Sequence, residues 1–256
     1  MNVHSWLKQA KTRIDSLDAE LILLGVLQKK DRSFLVAHDD LEIDEKMVEL
    51  EEKVTRREKG EPLAYIFERK DFFSREFFVS REVLIPRPES ETIVEIVKKM
   101  DVKKILDVGT GSGCIAISLK LEKPEADVIG SDVSLSALNV AKKNAEKLQA
   151  DVKFLQSDLL EKVEGKFDVI VANLPYVDKR WDWTKGIEFE PELALYAEDE
   201  GLSLIKKLIM QARGRTDHLV LEADPCQHES MVRFSEKNGF KCQEREGFVL
   251  DLVYSE

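Results

Sequence analysis

Lys103-Lys104-Ile105-Leu106-Asp107-Val108-Gly109-Thr110-Gly111-Ser112-Gly113-Cys114-Ile115-Ala116-Ile117-Ser118-Leu119 reads as a strand, a glycine-rich turn and the start of a helix with nothing between them. The run to Val108 has the length of a buried strand, and Cys114 to Leu119 continues at helical spacing, so this is a first β-α unit of an α/β domain. Glycines at 109, 111 and 113 let the backbone approach a ligand without a Cβ in the way, and the free N–H groups that open the helix point at the same spot. The order Gly-x-Gly-x-Gly differs from the Gly-x-Gly-x-x-Gly of dinucleotide-binding folds, which argues against a pyrophosphate ligand. Taken alone, the glycines also suit a purely structural turn.

Three further strand ends lie downstream. Asp127-Val128-Ile129-Gly130-Ser131-Asp132 closes on an acid 23 residues after Gly109, about the interval at which a carboxylate reaches a ribose hydroxyl pair. Val152-Lys153-Phe154-Leu155-Gln156 runs into Ser157-Asp158-Leu159, where a polar and an apolar side chain could bracket an adenine. Asp168-Val169-Ile170-Val171-Ala172 is β-branched and apolar and ends in Asn173-Leu174-Pro175-Tyr176, where Pro175 stops the strand. Asn173 is thus presented at the carboxyl edge of a parallel sheet, where such folds bind ligands. Its amide oxygen and a neighbouring carbonyl can accept the two N–H bonds of a planar amino group, with an aromatic ring on its face. An ordinary turn would use the same residue types.

These motifs resemble the S-adenosylmethionine-dependent methyltransferases, and among them the HemK/PrmC-type glutamine methyltransferases that modify peptide chain release factors. The resemblance spans nearly the whole chain. It includes Asp18-Ala19-Glu20-Leu21, Glu61-Pro62-Leu63-Ala64-Tyr65-Ile66, Leu84-Ile85-Pro86-Arg87-Pro88-Glu89, the glycine loop with its flanks, Asn173-Leu174-Pro175-Tyr176 and Phe189-Glu190-Pro191-Glu192-Leu193-Ala194-Leu195. The glycine loop is shared by many methyltransferases, whereas Ile-Pro-Arg-Pro-Glu together with Asn-x-Pro-Tyr is much more specific. Three departures stand out. Leu174 replaces the usual proline but keeps its carbonyl, and Pro175 still biases it to an extended conformation. Phe67 to Arg75 lacks the glycines common in the family at a hairpin, and Arg245 to Tyr254 is shorter and less typical.

The resemblance implies methyl transfer to the side-chain amide nitrogen (N5) of the glutamine in the Gly-Gly-Gln motif of a release factor, with S-adenosyl-L-methionine as cofactor. Asn173 and Tyr176 would be the catalytic residues, with Asn173, Leu174, Pro175 and Tyr176 holding the glutamine. Gly109, Thr110, Gly111, Ser112 and Gly113 would pack on the cofactor's methionine part, Asp132 would bind its ribose, Asp158 and Leu159 would flank its adenine, and Asn173 would border it. The spent proton can leave after transfer, so no strong general base is demanded. Arg87 and Glu89 match a motif near the active site.

The rest of the chain fits this reading. The expected fold is a Rossmann-like α/β methyltransferase sheet joined through a β-hairpin to a small amino-terminal helical domain. Its parts are a helical, substrate-receiving domain over 1–69, a hairpin connector over 70–84 and a methyltransferase domain over 85–256. Helices are expected over Ala19 to Leu27 and Glu91 to Val97, and Ile43, Met47, Leu50 and Val54 form an apolar stripe at helical spacing. Of 256 residues, 50 are acidic and 39 basic, a formal net charge of −11, so the overall field opposes a nucleic-acid backbone. Three scattered cysteines suit a reducing compartment, and the four histidines show no metal-ligand spacing. A soluble, cytoplasmic monomer is expected, with a release factor as protein partner, no membrane contact and no bound metal. Two other functions use the same residues. One is a DNA or RNA exocyclic-amine methyltransferase acting at adenine N6 or guanine N2, with Tyr176 stacked on a flipped base. The other is a non-catalytic release-factor adapter, against which an intact Asn173 and glycine loop argue. Trp181-Asp182-Trp183 either packs as core or forms a lid over the substrate.

Overall fold

The computed structural model of the protein describes residues 1–178, 180–181 and 186–255. Among the described residues the chain forms two compact units, Met1–Glu68 with residues 186–189, and the remainder from Arg69 onward.

The first unit is helical: α1 (Val3–Ala10), α2 (Ser16–Val26), α3 (Ser33–Ala37), α4 (Met47–Glu58) and α5 (Leu63–Ile66). Local signals start its helices. The Asn2 side chain accepts the Ser5 N–H at the head of α1, and Asp15 accepts that of Leu17 at the head of α2. The stripe on α4 faces inward, with Leu50 and Val54 buried against Ile22, Leu23 and Ile43. Charged residues tie the helices together: Asp18 pairs with Arg57 at 2.6 Å, Glu61 takes two bonds from Arg56 at 2.8 and 2.9 Å, and Glu20 holds Lys11 and Arg32. The Asp-Ala-Glu-Leu and Glu-Pro-Leu motifs therefore have structural duties within this unit.

The second unit opens with a hairpin, β1 (Arg69–Phe72) and β2 (Arg75–Phe78), followed by α6 (Glu91–Lys98), β3 (Lys104–Val108), α7 (Cys114–Glu122), β4 (Asp127–Asp132), α8 (Leu135–Leu148), β5 (Lys153–Gln156) and β6 (Phe167–Ala172). It ends with α9 (Glu192–Leu195), α10 (Ser203–Ala212), β7 (Thr216–Glu222), α11 (His228–Glu236), β8 (Phe240–Glu246) and β9 (Val249–Tyr254). The hairpin turns without glycine, as Phe73 and Ser74 both adopt left-handed conformations, with φ of 48° and 59°. Such a turn needs positive φ at both central residues, at some cost for non-glycine side chains. Neighbours hold it: the Phe73 N–H donates to Glu91 at 2.9 Å, and the Arg75 guanidinium donates to the Phe73 carbonyl at 3.0 Å.

The central sheet has seven strands in the order β5-β4-β3-β6-β7-β9-β8. The first five run parallel, and β9 lies antiparallel to β7 and β8. Strands buried on both faces read as continuous apolar runs, and alternation sorts their side chains into two layers. Leu106, Val108, Ile170 and Ala172 pack with α10 and α11, while Ile105, Val169 and Val171 pack with α6 and α7. The chain walks outward from β3 to β5 and returns to the other side of β3 as β6, so the strand order reverses at β3. Val108 pairs with Ala172, so β3 and β6 end level with each other. That reversal opens a crevice at their carboxyl ends.

Among the described residues no helix is long and apolar enough to cross a membrane. Trp183 and Asp182 lie outside the described residues, and Trp181 is half-buried.

Candidate active site

A cavity of about 400 Å³ occupies the crevice, within the size range of small-ligand sites. Gly109, Gly111 and Gly113 all have positive φ, of 74°, 53° and 81°, which explains the glycine at each. At Gly109 the need is also steric: a Cβ there would lie 2.9 Å from Leu174 Cδ2. The Leu174 side chain therefore packs on the face that the absent Cβ leaves open. Behind the loop, Asp107 is fully buried and takes the Thr110 hydroxyl at 2.6 Å and the Ala116 N–H at 3.1 Å, which links β3 to the first turn of α7. Burial pushes its carboxyl up to about 7.

Gly109, Thr110, Gly111, Ser112, Asp132, Asp158, Leu159, Asn173, Leu174 and Pro175 all line the cavity, whereas Gly113 and Tyr176 stand behind the lining. Asp132 accepts the Gly111 N–H and the Ser134 N–H, each at 2.9 Å, which ties the end of β4 to the glycine loop. Burial raises its carboxyl above the ordinary value, opposed by these backbone donors. Asp158 reaches the cavity wall, but its exposed carboxylate pairs with Lys207 at 2.9 Å. Leu159 is buried with φ of 47°, a left-handed conformation that is unfavourable for leucine and common at ligand sites.

At the end of β6, Asn173 Nδ2 donates to Ser90 Oγ at 2.8 Å. The Ser90 hydroxyl donates to Glu222 Oε2 at 2.6 Å, and the Tyr176 hydroxyl donates to Oε1 of the same carboxylate at 3.2 Å. Ser90 is 2% exposed and Glu222 1% exposed, so water does not compete for these bonds. Burial pushes the Glu222 carboxyl up to about 7 and, together with the Glu222 charge, raises the Tyr176 hydroxyl well above its usual value. The Asn173 side-chain oxygen and the Leu174 carbonyl accept no hydrogen bond from the described residues. The Tyr176 ring is partly buried and packs against the core, with its hydroxyl on Glu222.

A further acid and a further side-chain amide brace this edge. Glu190 is buried and takes the Arg87 guanidinium at 2.5 Å and the Ile85 N–H at 3.1 Å, so its carboxylate clamps the Ile-Pro-Arg-Pro segment. Gln227 donates to the carbonyls of Tyr176 and Glu200, each at 2.8 Å. Gly201 lies so close that a Cβ would come within 1.9 Å of the Tyr176 carbonyl oxygen. Ser90, Glu190, Glu222 and Gln227 were not singled out from the sequence as members of the site. The signal for Glu222 was an acid ending the apolar run Leu219-Val220-Leu221, a costly place for a charge without partners.

Sequence-family matching assigns residues 3–67 to the PrmC N-terminal domain and residues 88–187 to the methyltransferase small domain. Over 217 residues the chain is 40% identical to the release factor glutamine methyltransferase of Koribacter versatilis, covering 80% of this chain and 76% of that protein. It is 38% identical over 237 residues to the release factor glutamine methyltransferase of Haemophilus influenzae, covering 82% of this chain and 81% of that one. Among solved structures, the 16S rRNA N2 G1207 methyltransferase of Thermus thermophilus, in complex with S-adenosylmethionine and guanosine, superposes with a TM-score of 0.55 at 16% identity. That match covers 73% of this chain and 50% of the other, and it shows a shared methyltransferase fold.

Proposed function

The chain belongs to the release factor glutamine methyltransferase family, and we propose that it methylates the side-chain amide nitrogen of the glutamine in the Gly-Gly-Gln motif of a peptide chain release factor. The observation that carries this reading is the end of β6, where Asn173 has its amide nitrogen engaged and its oxygen open beside the open carbonyl of Leu174. Two acceptors side by side suit the two N–H groups of a primary amide.

The residues present fit S-adenosyl-L-methionine. The glycine loop offers a backbone cradle that a Cβ at Gly109 would crowd, Cys114 and Ile115 at the head of α7 line the cavity, and Asp132 supplies an acceptor for a hydroxyl pair. Leu159 and Val133 give apolar surface for a planar base. When bound, the cofactor supplies an electrophilic methyl group on a sulfonium sulfur.

A primary amide nitrogen is a poor nucleophile because its lone pair is delocalised into the carbonyl. Asn173 Oδ1 and the Leu174 carbonyl would accept its two N–H bonds and hold the nitrogen in line with the incoming methyl, and their dipoles would meet the positive charge that develops on it. The nitrogen becomes more acidic as it is alkylated, so its proton passes to solvent after transfer. Leu174 is 4% exposed and packs on Gly109, which fixes the carbonyl without the family's proline.

The same acceptors could grip an exocyclic base amine. The PrmC N-terminal domain over 3–67 and the net charge of −11 favour a protein substrate. The test is incubation with labelled S-adenosylmethionine and, in parallel, purified release factor, DNA and RNA. Label in the release factor alone is the expected result, and label in nucleic acid alone would overturn the reading.

A further inference from the structure

An asparagine can face a substrate with either end of its amide, and only the oxygen end accepts N–H bonds. The buried groups behind Asn173 make the choice. An ionised carboxylate is acceptor-only, so Glu222 takes the Ser90 hydroxyl proton at 2.6 Å and the Tyr176 hydroxyl proton at 3.2 Å. The single hydroxyl proton of Ser90 is thereby committed. Its oxygen faces Asn173 as an acceptor, only Nδ2 can meet it, and Oδ1 is turned outward.

We propose that Glu222 is a positioning residue for methyl transfer: acting on the Asn173 amide group both directly and through Ser90, it fixes which end of that amide faces the substrate. This rests on the function proposed above. It goes further in assigning a duty to a buried acid that does not line the cavity, and to the serine that follows the Ile-Pro-Arg-Pro-Glu motif.

Protonation of Glu222 would undo the selection. A neutral carboxyl can donate to Ser90 Oγ, which frees the serine proton for Oδ1 of a flipped amide and turns the Asn173 amino group toward the substrate's own N–H donors. The surroundings bring this event into the neutral range. Burial pushes the carboxyl up to about 7, with the Glu89 charge adding to it against the bonds from Ser90, Tyr176 and Asn173. Among the described residues, Asp224 near Tyr176 and the Cys114 thiol on α7 also face this cluster, and neither carries positive charge.

The experiment has an activity arm and a spectroscopic arm. Steady-state kinetics with release factor are measured across the neutral range for the wild type and for Glu222→Gln, along with the cofactor dissociation constant. The Asn173 side-chain amide resonances of nitrogen-labelled, substrate-free enzyme are followed over the same pH range in the wild type and in Ser90→Ala. The wild type is expected to lose kcat as pH falls below about 7. In Glu222→Gln this acidic limb should vanish, with kcat about tenfold or more below the wild type at high pH and with KM and cofactor affinity within about twofold. The wild-type Asn173 amide should titrate with Glu222, and the response should shrink in Ser90→Ala, where only the direct contact remains. An acidic limb that survives in Glu222→Gln, or a wild-type amide indifferent to pH, would overturn the proposal. Should Glu222→Gln fail to fold, the wild-type amide titration alone decides. An amide that tracks Glu222 in an enzyme that leaves release factors unmethylated would uphold the positioning and reject the substrate.

Discussion

Asn173 and Ser90 stand 83 positions apart in the chain, yet the Asn173 amide donates to the Ser90 hydroxyl oxygen at 2.8 Å. Asn173 ends β6 in the Asn-Leu-Pro-Tyr motif, and Ser90 directly follows Ile-Pro-Arg-Pro-Glu. The bond gives a physical reason for the two motifs to occur together: one presents the acceptor, and the other holds its amide still. Asn173→Ala should therefore cost on the order of a hundredfold or more in methyl-transfer rate, the effect of losing one preorganised partner. Calorimetry should show cofactor affinity within a few-fold of the wild type. Surviving turnover, or loss of the cofactor as well, would contradict the role.

Asp132 already accepts two backbone N–H bonds and faces the cavity. Asp132→Ala should weaken S-adenosylmethionine binding by about 1.5–3 kcal/mol, the scale for losing a charged hydrogen-bond partner at a buried site. Part of that loss would come through a glycine loop freed at Gly111. Unchanged affinity by titration calorimetry would place the ribose elsewhere.

Gly201 supports the catalytic edge from behind. In Gly201→Ala the new Cβ would sit 1.9 Å from the Tyr176 carbonyl oxygen and 2.7 Å from Gln227 Nε2, so the backbone at Tyr176 has to move. We expect a destabilisation of roughly 1–3 kcal/mol from overpacking, in addition to the strain of alanine at φ +84°. Turnover should fall with it. Gly165→Ala is the control, since Gly165 also has positive φ, at 88°, but open space around its Cβ position. Equal melting temperatures for the two variants would show that the close approach at Tyr176 is relieved at no cost.

Asp107 and Glu222 make stability depend on pH. Burial raises both from ordinary values of 3.8 and 4.5 to about 7, so the folded chain binds protons that the unfolded chain has released. Their contribution is fully present below the ordinary carboxylate range and is lost as pH rises through about 7, at up to ~1.4 kcal/mol per pH unit for each group. Chemical denaturation between about pH 5 and pH 8 should show stability falling with pH, and Asp107→Asn should flatten that slope. A variant slope equal to the wild type would mean that Asp107 is ionised throughout.

The parts of this molecule legible in the sequence are those encoded locally. The glycine loop, the apolar strands and the turn forced by Pro175 each need only a few neighbouring residues, so the Rossmann-like sheet and the strand ends at Gly109, Asp132 and Asn173 can be read directly. Other parts depend on contacts between distant positions. Ser90 meets Glu222 across 132 positions, Arg87 meets Glu190 across 103, and Gln227 meets Tyr176 across 51, and no local pattern records such partners. Asp158 shows the converse, since its place at a strand end is legible but its pairing with Lys207 on α10 is not. The hairpin is legible in its aromatic and apolar residues but its turn is not, because Phe73 and Ser74 occupy conformations usually marked by glycine, held by Glu91 and Arg75.

The most direct measurement is peptide mass mapping of a purified release factor after incubation with the wild-type enzyme and S-adenosylmethionine. The account predicts the added mass of one methyl group on the glutamine of the Gly-Gly-Gln motif, located on its side-chain nitrogen by fragmentation, and none with Asn173→Ala. A methyl group on any other residue, or the same product from Asn173→Ala, would contradict it.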